Sequence, residues 1–433
     1  MSTIAPVPPL ENCEKRSGND CREGRGLLSV DEARRLILSS VSPLQECEDV
    51  PLREAVGRVA AADIQSSLAL PSFDNAAMDG FCIHLDDLGS IPPIGLRLQG
   101  EARAGDEQRL MLRRGHTIRI TTGAPIPDGV AAIVPHERAR MVEGRVEIAA
   151  RIEAGRNIRR RAEDVVPGAT IVEGGARLNA CHLAILAAAG KSHVRVRRAP
   201  RVGILSTGNE LVPPGTLPEG GRIVDTNRFI LSSMLRSAGA TVEDLGIAAD
   251  DVDLLAGVLG ANRHLDVLVT SGGVAGSVAD RVPAAIAALK GETTVLSLAL
   301  RPGKPIGFGS LGKCKLLNLP GNPMATLVTA FLFLGPLVRA LAGQDERRRP
   351  GVARTAHEFT HIEGRQEFVP VRIVDTGPDG IPRAEKLGKG GSARLLPLAQ
   401  ADGLAELPAS TGAIPAGQLM VFHSFVEMGL LPA

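Results

Sequence analysis

The sequence predicts a multidomain chain of mixed class: a central α/β domain on a mainly parallel sheet, a β-rich region before it and a small β domain after it. Three observations carry this. Residues 199–343 alternate apolar strand-like runs with helical stretches. Residues from 51 to about 171 instead carry short β-rich runs separated by Gly and Pro turns, and that texture returns from 352 onward. The length, 433 residues, corresponds to roughly three domains at about 150 residues each and can bury sizeable cores without disulfide or metal staples.

Taken in order, residues 1–25 are polar, mix both charge signs and lack the apolar run of a secretory signal, so they read as a flexible tail. Residues 26–198 form the first folded region. Its opening helix, 27–42, has Ser29 as N-cap and Asp31 and Glu32 in the first turn, where acids favour the helix dipole. Strand-like runs follow at 96–98, 117–120, 132–135 and 145–148. Asn179 can cap a helix that Gly190 ends, and 193–198 alternates as a strand. Within 199–346, strands are expected at 201–205, 241–246, 266–270, 293–298 and 315–319. Helices are expected at 226–237, 251–262, 280–289 and 323–341, the last with Asn322 as cap and Pro323 at its first position. Pro336 and Arg339 interrupt the apolar run from Met324 to Leu341, which therefore reads as a buried helix and not a membrane span. Arg347–Gly351 is a solvated, Pro-bounded linker. Residues 350–433 read as an all-β domain with strands at 353–360, 368–375, 404–407 and 418–425.

Composition excludes several functions. Lys plus Arg (49) nearly balances Asp plus Glu (48), a net charge of +1, so the chain lacks the basic surplus of a general nucleic-acid binder. Aromatics are only 2%, with ten Phe and no Trp or Tyr, which argues against stacking platforms for bases and removes Tyr as an acid. The six cysteines form no C-x-x-C pair, against zinc-ribbon and thioredoxin-like readings, and scattered thiols fit a reducing, cytoplasmic setting. Nucleophile-elbow, Walker A and zincin patterns are missing.

Candidate chemistry collects where strands of the α/β domain end, the usual place for ligands in open parallel sheets. Ser206-Thr-Gly-Asn-Glu-Leu follows one strand and Ser271-Gly-Gly-Val-Ala-Gly-Ser-Val-Ala-Asp280 another. Their glycines and hydroxyls suit backbone N–H approach to an anion, or simply a tight turn. Each loop ends in a carboxylate, Glu210 or Asp280. Asp225-Thr-Asn-Arg228 opens a helix. Asp225, Asp250, Asp251 and Asp280 offer oxygens that Mg²⁺ could share with phosphate, or that cap helices. Arg301-Pro-Gly-Lys-Pro305 places two cations on a rigid turn, for an oxyanion or for solvent. In the β-rich half, Pro71–Phe81 brings Asp74 and Asp79, Thr121–Pro127 is a hydroxyl-rich turn, and Asn157–Asp164 sets three arginines before two acids.

Together these strings resemble the molybdopterin molybdenumtransferase family, which includes the molybdenum-insertion domain of gephyrin. The blocks run in the same order: F-D-N-x-A-M-D-G-F at 73–81, T-G-A-P at 122–125, N-I-R-R-R-x-E-D at 157–164, S-T-G-N-E-L at 206–211, D-T-N-R at 225–228, S-G-G-V at 271–274 with Asp280, P-G-K-P at 302–305 and L-P-G-N-P at 319–323. The resemblance covers about 26–343 strongly and the rest more loosely.

The resemblance implies an elongated homodimer with two intertwined subdomains in 26–198 and a central domain like molybdopterin adenylyltransferases. It implies insertion of molybdate into adenylylated molybdopterin, with Mg²⁺ and release of AMP, and handover contacts with a molybdopterin adenylyltransferase and with molybdoenzymes. By the same resemblance, Asp225 and Asp280 hold Mg²⁺ or orient water, Glu210 positions the nucleotide end, and Lys304 and Arg301 hold molybdate or phosphate. Ser206, Thr207, Gly208, Ser271, Gly272, Gly273 and Pro320 contact the ligand. Asp79, Thr122 and Asp164 line the cleft from its other face. Ser392, with Lys389, and Arg372 are candidates from the C-terminal domain. Three departures stand out: Ala76 where Ser is common, Ala275 after the S-G-G-V string, and Arg301 where Lys is common. A non-catalytic scaffold on the same fold is the competing reading, and a hydrolase of another nucleotide pyrophosphate is a third.

Overall fold

The computed structural model describes residues 26–107, 110–149, 151–274, 281–344, 350–388 and 393–430. They divide into two compact units. One takes 26–41, 201–338 and 350–430; the other takes 42–200 and 339–344.

In the first unit a six-stranded sheet runs in the order Thr241–Ala248, Arg201–Thr207, Val267–Ser271, Cys314–Leu319, Pro305–Leu311, Glu292–Ser297. The first four strands are parallel; Pro305–Leu311 and Glu292–Ser297 join antiparallel. Pro305–Leu311 is a strand that the sequence reading passed over, and its insertion makes the sheet mixed. Its Gly-rich sequence hid it: at Gly309 the backbone of Glu292 lies where a Cβ would stand, so close strand approach replaces the side chains that normally signal a strand. Because Arg201–Thr207 has its successor in sequence on one side and Val267–Ser271 on the other, the chain reverses direction across the sheet there. That reversal opens a crevice at the carboxyl ends of these two strands.

Helices Val252–Ala261 and Val282–Ala288 cover a core of Leu205, Leu255, Leu268, Ile286 and Leu316. Helix Asn227–Ser237 packs with Pro323–Thr329. The last helix runs through Pro336 as far as Leu341, with a π-helical turn at Ala330–Leu334. The wider turn precedes the proline, whose ring cannot accept regular α packing. Over its 19 residues this helix is long and apolar enough to cross a membrane, but 83% of its apolar window is buried inside the protein, as in a core helix. Helix Val30–Ser39 starts with a reciprocal box in which Ser29 and Glu32 satisfy each other's backbone N–H groups. It belongs to this unit, where Leu28 bridges to Leu298.

Still in the first unit, strands Gln366–Thr376, Pro382–Lys386, Gly351–Thr355, Leu419–Ser424 and Gly403–Leu407 pair in succession, and the last pairs back to the first. Closure removes both sheet edges around Ala353, Val369, Val371, Ala405 and Leu407. Leu300–Arg301 adds to Gln366–Glu367 in parallel.

The second unit holds a six-stranded sheet with the order Val130–Pro135, Gly80–His84, His116–Ile120, Ile94–Ala102, Arg145–Ile148, Ala139–Val142. A separate ladder joins Cys47–Pro51 to His193–Arg197. Helix Ala180–Ala188 is capped by Asn179. The structure thus has the predicted class: α/β with β-rich parts and a C-terminal β domain.

Candidate functional site

The crevice at the strand ends opens into a cavity of about 670 Å³ within the first unit, a size suited to a small-molecule ligand. Strand Arg201–Thr207 delivers Ser206 and Thr207, both buried. Their hydroxyls have no hydrogen-bond partner among the described residues. Such groups cost free energy unless a ligand or water meets them. Thr207 and Gly208 line the cavity with Glu210, whose carboxylate folds back over Gly208. Asn209 accepts the backbone N–H of Asp250 at 3.1 Å, which sets Asp250 on the same wall.

The second loop is pinned from beneath. The Asn227 side-chain amide donates to the Ser271 hydroxyl at 2.7 Å and to the Gly321 carbonyl at 2.6 Å. Gly272 has φ +109°, and a Cβ there would stand 2.4 Å from the Thr207 carbonyl oxygen, so the close approach of the two loops requires glycine. The expected cradle of glycine N–H groups is only partly available. Gly208 N–H donates to Ala248 and Gly272 N–H to Leu319. Hydroxyls, rather than those two amides, are the unpartnered groups.

The facing walls come from 300–305, from 320–325 and from the barrel. Lys304 is exposed and makes no ion pair among the described residues. Arg301 lies 3.7 Å from the Glu367 carboxylate. The barrel adds Arg365, Lys386 and Arg394. Five cations against Glu210, Asp250 and Glu367 make the cavity net basic, which suits an anionic ligand.

Of the sequence candidates, Thr207, Gly208, Glu210, Gly272, Gly273, Arg301, Lys304 and Pro320 line this cavity, with Ser206 and Ser271 buried at the strand ends that bound it. Asp225 is buried: one oxygen accepts the Asn227 N–H and the other holds Arg228, which also reaches Asp244. Asp251 caps its helix through Leu254 N–H. Asn322 occupies the cap position without a side-chain cap bond and faces the cavity instead. Arg372 is engaged by Glu385 on the adjacent strand and does not line the cavity. Asp280, Ser392 and Lys389 lie outside the described residues, as does Ala275.

Asp79, Thr122 and Asp164 belong to the second unit. There three sequence blocks converge on Ala76: its N–H donates to Ala124, its carbonyl accepts from Gly123, and Asn75–Ala76 pairs with Ile158–Arg159. Ala76 is fully buried. Asp79 accepts both the backbone N–H and the hydroxyl of Thr122 at 2.7 Å, and these bonds hold its carboxyl below the usual carboxylate range. Asp164 is exposed.

Sequence reasoning missed Arg365, Glu367, Lys386 and Arg394. The only signal was Gly364-Arg-Gln-Glu-Phe, charges interrupting the start of a strand. Their meeting with 300–305 depends on barrel closure, which no local pattern encodes.

Residues 28–190 match the family described as MoeA N-terminal region (domain I and II), 203–340 a probable molybdopterin binding domain, and 352–425 the MoeA C-terminal region (domain IV). A molybdopterin molybdenumtransferase of Haemophilus influenzae is 36% identical over 326 residues, 75% of this chain and 80% of that protein. One from Nostoc is 33% identical over 90% of this chain and 92% of its own length. The chain belongs to the molybdopterin molybdenumtransferase family. Two solved structures of molybdopterin biosynthesis MoeA protein from Pyrococcus horikoshii superpose over 92% of the chain, with TM-scores of 0.75 and 0.78 at 30% and 27% identity.

Proposed function

We propose that this chain is a molybdenum-inserting transferase acting on adenylylated molybdopterin and molybdate, with AMP as the leaving product. The observation that carries this reading is the cavity itself. The unpartnered hydroxyl of Thr207 lines a cavity shared with a group of cations, at the point where the parallel sheet reverses. In this reading Lys304 and Arg301 hold the oxyanion, and the Thr207 hydroxyl meets the phosphate-bearing part of the pterin. Water adds across the pyrophosphate link, releasing AMP and leaving the pterin monophosphate. Two Mo–S bonds form as the two dithiol protons leave with one molybdate oxygen as water, with no change in oxidation state.

The donor set suits Mg²⁺, which takes one or two carboxylates and completes its shell with phosphate oxygens and water. Glu210 and Asp250 on one wall would hold it, with Asp280 as a further candidate. Asp225 would first have to give up Arg228. Bound there, the ion would offset charge on the pyrophosphate. Asp79, Thr122 and Asp164 are assigned to the same ligand through a homodimer.

The test is a single-turnover assay with purified protein, adenylylated molybdopterin, Mg²⁺ and molybdate, following AMP release and activation of a molybdenum-free apo-enzyme. Molybdate-dependent AMP release with activation is the expected result. Tight binding of the adenylylated pterin without AMP release would overturn the transferase reading in favour of a scaffold on this fold.

A further inference from the structure

One group in the cavity runs against its basic character. Glu367 is 8% exposed, yet its Oε2 is buried with no hydrogen-bond partner among the described residues. A buried carboxylate left without hydrogen bonds is costly unless a charge offsets it. The offset is Arg301, whose Nη1 lies 3.7 Å away. The register explains the pairing: Leu300–Arg301 is a two-residue strand whose partner is Gln366–Glu367, with Arg301 directly opposite Glu367. Gln366, the neighbour in sequence, turns its amide to Glu406 instead. Among the described residues Lys304, Arg365 and Arg394 have no such counter-charge. Arg301 is thus paired in advance, loosely and beyond hydrogen-bond distance, in a cavity where Lys386 donates only to the Thr360 carbonyl and the other cations have no acidic partner among the described residues.

We propose that Glu367 is a built-in counter-anion that holds Arg301 at the cavity wall and competes with the incoming oxyanion for it. This inference rests on reading the cavity as an oxyanion site. The competition weakens ground-state binding of the oxyanion and keeps it exchangeable, so that binding strength is not squandered on a species that must still be transferred. Glu367 acts through Arg301 and is a positioning residue.

The experiment is calorimetric titration of the full-length protein with molybdate and with tungstate, without pterin, alongside steady-state kinetics. Glu367→Gln is expected to bind molybdate about tenfold more tightly at an unchanged melting temperature. Its KM for molybdate falls and its kcat falls with it, a split that a merely structural defect would not give. Glu367→Asp keeps the charge but draws it back by one methylene, and should tighten binding about threefold; it serves if the glutamine variant does not fold. In an Arg301→Gln background, Glu367→Gln should shift affinity less than twofold. A folded Glu367→Gln or Glu367→Asp protein whose affinity is unchanged or weaker overturns the proposal while leaving the oxyanion site in place. Failure of the unaltered protein to bind either oxyanion overturns the oxyanion reading of the cavity, and this inference with it.

Discussion

The arginine run of the β-rich unit and the cations of the cavity are handled in opposite ways. In the β-rich unit, the arginine run that stands out in the sequence is satisfied locally. Arg159 pairs with Glu163 at 3.1 Å, Arg160 with Asp74 at 2.7 Å, and Asp74 also accepts the Arg161 N–H. In the α/β-and-barrel unit, Lys304, Arg365 and Arg394 have no acidic partner among the described residues, nor has the buried Thr207 hydroxyl of the same cavity a hydrogen bond there. Charges that close on each other stabilise a loop; charges left open in a concave wall are available to a ligand. A run of arginines is therefore a poorer guide to the site than a lone lysine on a rigid turn.

The sharpest way to break this contrast is to disturb the open wall's backbone. Gly272→Ala puts a methyl group against the Thr207 carbonyl and forces a left-handed φ on alanine. The expected cost is about 1–3 kcal/mol of stability. Displacement of the two loops by about 1 Å should lower turnover about a hundredfold. Chemical denaturation and the AMP-release assay read the two effects separately. Full turnover in the variant would mean that the Gly272–Thr207 approach does not shape the site.

Much of the fold was legible because it rests on local signals. Ser29 and Asn179 cap as their sequences indicate, and the strand–helix alternation of 199–343 gives the parallel strands in order. What escaped was non-local or unusually built. Strand Pro305–Leu311 carries glycine where a Cβ would meet the Glu292 backbone at Gly309 and the Asn318 side chain at Gly307. Pro336 and Arg339 suggested an interrupted run, whereas a π-turn carries the helix past the proline. In the site, the strand-end loops were readable because their position follows from sheet topology. The barrel's contribution was not, because Arg365 and Glu367 reach the cavity only after strands more than thirty residues apart close the ring. The reading of Asp225 as a Mg²⁺ ligand or a helix cap did not include its engagement by Arg228 three residues on, a pair within one helical turn that the D-T-N-R string itself contains.

A smaller effect compares one cation from each unit. Lys304→Ala should weaken molybdate binding about tenfold while leaving stability within about 0.5 kcal/mol, because no side-chain partner among the described residues is lost. Arg160→Ala should do the reverse. Its pair with Asp74 is solvent-exposed at 58% and 38%, so about 0–1 kcal/mol of stability is at stake, with molybdate affinity held within twofold. Calorimetry and thermal unfolding on the two variants decide the matter. If Arg160→Ala weakened molybdate binding as much as Lys304→Ala, the division between closed and open charges would fail.

The smallest expected effect tests the closed side alone. Asp79 has its carboxyl lowered first by the Thr122 hydroxyl and then by the Thr122 N–H. A carboxylate lowered by folding contributes stability that is fully present above its unfolded value and is lost as pH falls through the folded value. For Asp79 that loss belongs below the ordinary carboxylate range. Thr122→Val removes the hydroxyl donor and keeps the backbone N–H, so the Asp79 carboxyl should move part of the way back up. Any acid-induced loosening of this loop should then begin at higher pH. Titration of the Asp79 side chain by NMR between pH 2 and 6 (about the range over which carboxylates protonate) would show the shift. An Asp79 that titrates identically in the valine variant would show that the hydroxyl bond does not set its charge, and Asp79 would then belong with the open groups and not the closed ones.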